Sequence, residues 1–129
     1  MAFDWREYLT LARWLQANTP PGMSREGALR CAIGRAYYAA FGYAIEYATA
    51  YLEFVPRHDA DDHGRLRAHL KQKRRQKVSE ALDRLRQWRN DCDYAGVYPG
   101  DLEATLTNAL SEADYVIAAL PPPAAPLPS

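Results

Sequence analysis

Cysteine, histidine, net charge and long apolar runs are all scarce in this 129-residue chain, and each scarcity removes a class of function. The two cysteines, Cys31 and Cys92, are too few for a disulfide framework. Both fall in helical patterns, where a small buried thiol is expected. The three histidines, His58, His63 and His69, lack the spacing with a glutamate that a zinc-protease helix needs. There is no paired-cysteine zinc motif and no glycine-rich phosphate loop, so neither a metal nor a cofactor is expected. Ser24, Ser79 and Ser111 read as helix caps or helix-surface residues rather than nucleophiles. Asp4, Arg6 and Glu7 in the first turn argue against a signal peptide, and no uncharged apolar run reaches the length of a membrane span. A cytoplasmic protein without a membrane partner is expected. Any chemistry must therefore use arginine, polar helix-end residues and tyrosine.

Sixteen basic residues balance sixteen acidic ones, so no global field draws the chain to nucleic acid or membrane. Their distribution is uneven. Eleven of the basic residues lie between Arg57 and Arg89, none follows Arg89, and six acids do. Residues 65–77 hold Arg65, Arg67, Lys71, Lys73, Arg74, Arg75 and Lys77 with no acid among them. The segment reads either as a solvated basic face or as a phosphate-backbone contact, and RNA suits the latter because no groove-reading motif is present.

Apolar periodicity predicts helices throughout and no strand alternation. Trp5, Tyr8, Leu9, Ala12 and Leu15 mark a first helix from Phe3 to about Ala17, with Asp4 available as cap, and Asn18 to Gly22 end it. Ser24 starts a long central helix to about Leu52, rich in small and aromatic residues. Its stripe of Tyr43, Tyr47, Tyr51 and Phe54 reads as core or dimer face. A loop to Asp62 precedes a short helix with Leu66 and Leu70, then a helix from about Lys77 to Ala95. After Gly96–Gly100, Asp101 caps the last helix. The expectation is all-α, an antiparallel bundle of four long helices and one short, over residues 1–120. The proline-rich residues 121–129 are expected to form a disordered polyproline-type tail.

The fourth helix carries the most informative stretch. Val78, Leu82, Leu85 and Cys92 fall on one seam, and Arg89 occupies the gap where a core hydrophobe belongs. An unpaired guanidinium is costly to bury, so Arg89 needs partners or a task. One reading is a local pair with Asp93 near the bundle rim. The other is a polar pocket, with Asn90 and Tyr94 close by, for an anionic ligand.

Three stretches together resemble a family. Residues 30–41, Arg-Cys-Ala-Ile-Gly-Arg-Ala-Tyr-Tyr-Ala-Ala-Phe, resemble the central helix of small prokaryotic HEPN (higher eukaryotes and prokaryotes nucleotide-binding) proteins. His63-Gly64 resembles the pair that opens their next segment. Arg89-Asn90-Asp91-Cys92-Asp93-Tyr94 resembles their R-N-x-A-D-Y.

The resemblance implies a HEPN-like helical bundle that dimerises, often beside a small nucleotidyltransferase in toxin–antitoxin or defence systems. Many members are metal-independent endoribonucleases whose arginine, next polar residue and following histidine meet their copies across the dimer. Arg89 and Asn90 match the first half. Tyr94 stands where the histidine is expected, with Asp93 as an orienting partner, and no histidine follows. A tyrosine, with a pKa of about 10, is a poor base at neutral pH. The expectation is thus a homodimeric module that binds RNA or a nucleotide, with a nucleotidyltransferase as partner protein. The alternatives are a metal-independent endoribonuclease acting through Arg89, with His63 as a substitute base, and a purely structural dimer.

Overall fold

In the computed structural model, residues 2–123 are described. Among them the chain is all-helical: α1 (Arg6–Ala17), α2 (Arg25–Tyr51), α3 (Asp62–Gln72), α4 (Gln76–Tyr94) and α5 (Leu102–Ala119). With α1 at 12 residues and α3 at 11, two helices are short and three are long.

α2 organises the bundle because it is apolar on most of its faces and buries residues along its whole length. Ala28, Leu29, Ala32, Ile33, Ala36, Tyr37, Ala40, Ala44 and Ala48 are all buried along it. Its small residues let neighbours approach closely, most tightly at Gly42. There a Cβ would fall 2.0 Å from Cδ2 of Trp5, so only glycine admits the indole. Ser24 starts the helix as expected, its hydroxyl accepting the Gly27 N–H at 3.0 Å.

α1 begins at Arg6 rather than Phe3, because the Asp4 carboxylate accepts the Arg6 backbone N–H at 3.0 Å. Phe3 instead packs its ring against Trp5 and Tyr8. Leu9, Ala12 and Leu15 face the core. Arg25 covers the end of α1 by donating to the Leu15 carbonyl at 2.7 Å and to that of Gln16. Asp101 caps α5 through the Ala104 N–H at 3.2 Å.

The loop before α3 is gathered by the buried carboxylate of Asp62. It accepts the N–H groups of Arg57 and His58, at 3.0 and 2.8 Å, and pairs with Arg65 at 2.7 Å. Those donors, the Arg57 N–H first, hold Asp62 below the usual carboxylate range. α3 closes in a Schellman-type turn: Arg75 N–H reaches the Leu70 carbonyl and Arg74 N–H that of Lys71. Arg74 takes the left-handed position, φ 62°, that glycine normally fills. Ser79 then ties α4 back to α3 through the Arg67 carbonyl at 3.0 Å.

α4 buries Val78, Leu82, Leu85 and Cys92 as its seam predicts. Its C-terminal carbonyls are met by Arg30 of α2, whose Nη1 donates to Cys92 and Ala95 at 2.9 and 2.6 Å. A cation at a helix C-terminus also complements the helix dipole. These bonds fix the end of α4 against the N-terminal part of α2. One expectation fails: Cys92 is buried but Cys31 is exposed, because no helix covers that face of α2. No helix among the described residues is long and apolar enough to cross a membrane.

Of the proline-rich segment, residues 124–129 lie outside the described residues. The carbonyl of Pro121 accepts the Tyr47 hydroxyl at 2.9 Å.

Candidate functional site

Arg89 lies in the seam of α4 with its side chain 20% exposed. Its guanidinium carbon sits 5.2 Å from the centroid of the Tyr38 ring on α2. Nη1 donates to Oδ1 of Asn90 at 3.1 Å. Nε is 2.8 Å from Oδ2 of Asp93 but off the hydrogen-bond line, so this buried N–H has no aligned acceptor. The buried Nε–H of Arg86 is equally without an acceptor. Arg30 Nε, in an arginine that holds the end of α4, is in the same state; an unmet buried donor costs free energy that a ligand oxygen could recover.

Arg89 is not alone. One turn back, Arg86 donates to Oδ1 of Asp83 at 3.2 Å. Arg67 of α3 approaches the same oxygen at 3.7 Å and donates to the His63 carbonyl at 3.1 Å. Three guanidiniums thus share two carboxylates, Asp83 and Asp93. The surplus of positive charge falls where α2, α3 and α4 meet.

His63 sits at this junction. Its ring stacks on Phe41 at 4.1 Å, and Nδ1 is hydrogen-bonded to the Tyr37 hydroxyl. Burial pushes the His63 pKa down, and the positive fields of Arg89, Arg67 and Arg86 push it further, against a small opposing effect of Asp62. His63 is therefore a neutral imidazole at pH 7. Burial raises the Tyr37 hydroxyl, which stays protonated. The site is cationic, with one neutral base in it.

Beside Arg89 runs a groove of about 420 Å³ between α1, α2 and the end of α4, lined by Leu11, Met23, Gly34, Arg35, Tyr38 and Asp93 among others. Arg35 lies 4.8 Å from the Tyr8 ring and 5.5 Å from that of Tyr38. Tyr8, Arg35, Tyr38 and Arg89 so form a ladder of alternating aromatic and guanidinium groups, side chains of the kind on which bases stack.

Arg89, Asn90 and Asp93 are brought together; Tyr94 is not. It is 78% exposed and makes no hydrogen bond among the described residues. Five positions along a helix carry it about 140° round from Arg89. The basic segment divides. Arg65 is paired with Asp62, Lys73 with Glu53 at 3.5 Å, and Arg75 caps the Lys73 carbonyl at 2.7 Å. Arg67 belongs to the cluster just described. Lys71, Arg74 and Lys77 are exposed and have no ion pair among the described residues. His69 donates from Nε2 to the Leu52 carbonyl at 2.6 Å, a structural role. Arg86 and Asp83 were missed by the sequence reading, although their spacing of three on α4 marks a pair on one face.

No family profile, characterised protein or solved structure matches the chain. Among the described residues no group of acidic, histidine or cysteine side chains is placed to hold a metal ion.

Proposed function

We propose that this chain is a HEPN-like module that holds a phosphate-bearing ligand, RNA or a nucleotide, against Arg89. The observation that carries the reading is the buried Nε–H of Arg89, set over Tyr38 and left without an aligned acceptor. A phosphate oxygen meeting it would displace the off-line carboxylate of Asp93, and Arg86 and Arg67 would share the ligand's second charge. Bases flanking that phosphate would stack along the Tyr38–Arg35–Tyr8 ladder. The motif resemblance supports this, as does the all-helical fold. It also brings in a two-fold homodimer, for which the exposed Leu11, Trp14 and Met23 offer apolar surface, and a nucleotidyltransferase partner in a toxin–antitoxin or defence setting.

His63 favours a second reading, metal-independent cleavage of RNA. A neutral imidazole in the field of three arginines is suited to take the proton of a 2′-hydroxyl as its oxygen attacks phosphorus. The 5′-oxygen leaves as a hydroxyl, protonated from solvent, and a 2′,3′-cyclic phosphate remains. Arg89 would meet the charge on the non-bridging oxygens.

Fluorescence anisotropy with a labelled single-stranded RNA, in EDTA, tests both readings. Arg89→Ala should weaken binding at least tenfold, with the chain still folded. Unchanged affinity would refute the phosphate site. Electrophoresis of the same samples decides the second reading: cleavage by wild type, lost in His63→Ala, supports it, and intact RNA rejects it.

A further inference from the structure

A second feature lies on the opposite reach of α2, away from Arg89. Tyr43, Tyr47 and Tyr51 recur every four residues and form one stripe, with ring centroids 6.4 Å apart for the first pair and 5.0 Å for the second. The Tyr43 hydroxyl donates to the carbonyl of Leu120 at 2.7 Å, and the Tyr47 hydroxyl to that of Pro121 at 2.9 Å. Pro122 lines a groove of about 220 Å³ with Glu46, Ala50 and the three tyrosines. Tyr51, at its outer end, is 49% exposed.

The chemistry of the two sides is complementary. Successive prolines have no backbone N–H, a fixed φ, and a neighbour-enforced extended ψ, so a run of them favours a stiff polyproline II rod. Its carbonyls point outward with no internal partner and need donors. Tyrosine supplies a flat apolar face for the proline ring and a hydroxyl donor at its tip. Aromatic-lined grooves that pair hydroxyl or indole donors with carbonyls are how polyproline helices are recognised generally. The Leu120 carbonyl, at the C-cap of α5, needs a donor in any case, but the bond to the Pro121 carbonyl and the seat of Pro122 in the groove lie beyond the helix and are not required to close it.

We infer that the Tyr43–Tyr47–Tyr51 stripe is a polyproline-reading groove whose resident occupant is this chain's own proline segment, docked through Leu120, Pro121 and Pro122. The segment closes the groove in cis, so a proline-rich peptide enters only after it has left. This holds whether or not Arg89 binds phosphate.

The test uses the full chain. In wild type, ring protons of Tyr47 and Tyr51 should give nuclear Overhauser contacts to Pro122; their absence would overturn the inference without any variant. The full-length triple variant Pro121→Gly, Pro122→Gly, Pro123→Gly alters only exposed positions and leaves buried Leu120 in place. Titrated with a synthetic peptide of residues 119–128, it should show shifts of the three tyrosine ring signals and bind at least fivefold more tightly than wild type. Adding Tyr47→Phe to it should weaken peptide binding about fivefold, the worth of one hydrogen bond. A peptide with glycine at every proline should not bind. Equal affinity of wild type and the triple variant, shifts elsewhere than the stripe, or equal binding of the glycine peptide would each refute the inference.

Discussion

Arg89 of α4 lies over Tyr38 of α2, its guanidinium carbon 5.2 Å from the ring centroid. The ring replaces water on one side of the cation, which is how a charge can occupy a seam otherwise filled by Leu82, Leu85 and Cys92. The edge of the guanidinium remains directed at Asn90 and Asp93, its polar partners among the described residues. The two parts of one side chain thus differ: the face packs and the edge presents donors.

The contact between Trp5 and Gly42 should be among the least tolerant in the protein. Gly42→Ala places a methyl inside the indole, so Trp5 must leave its seat and its 2.9 Å bond to Glu46. A loss of about 1–3 kcal/mol is expected from such overpacking. Chemical denaturation checks this; a variant as stable as wild type would show that Trp5 has another place to go.

The two thiols should react at very different rates. Cys92 is buried, and burial lifts its thiol to about 11, so little thiolate exists at pH 8. Cys31 is exposed at the groove beside Arg35 and Tyr38. A thiol-specific reagent should modify one equivalent promptly in the native protein and the second only after unfolding. If RNA or nucleotide lies in that groove, it should slow the first reaction.

Much of this architecture could be read from local pattern. Ser24 and Asp101 cap their helices because a cap is a contact over three residues, and the Arg89 anomaly is visible as an interruption of one seam. The surroundings of Arg89 could not be read in that way. His63 and Arg67 stand on α3 and come to the Arg86–Arg89 side of α4 only through the packing of α3 on α4, which no periodicity within one helix encodes. The exposure of Cys31 escaped for a related reason: α2 is apolar on most of its faces, so its pattern does not say which side lacks a neighbour. A basic run likewise looks uniform until Glu53 and Asp62 remove some of its members.

Stability should fall as pH drops through the histidine range, and His63 should be one cause. The folded chain holds this imidazole below its ordinary pKa of about 6.5, through burial, Arg89, Arg67 and Arg86, with Asp62 acting weakly the other way and Tyr37 bonded to Nδ1. Below about pH 6.5 the unfolded chain binds a proton that the folded chain refuses, so the unfolding free energy decreases with falling pH. Thermal melts between pH 8 and 5 should show this decline in wild type and a shallower one in His63→Gln. Parallel curves would mean that His63 is equally easy to protonate in both states.

The central claim, that Arg89 is the phosphate-holding residue, is most directly tested by watching its own Nε–H. In protein labelled with ¹⁵N, that resonance is assigned by its loss in Arg89→Lys and followed while single-stranded RNA is added. A saturable shift of the Arg89 Nε–H signal, reversed by raising the salt concentration, is the predicted result. A signal that stays fixed while RNA binds elsewhere, or while no RNA binds at all, would contradict the account.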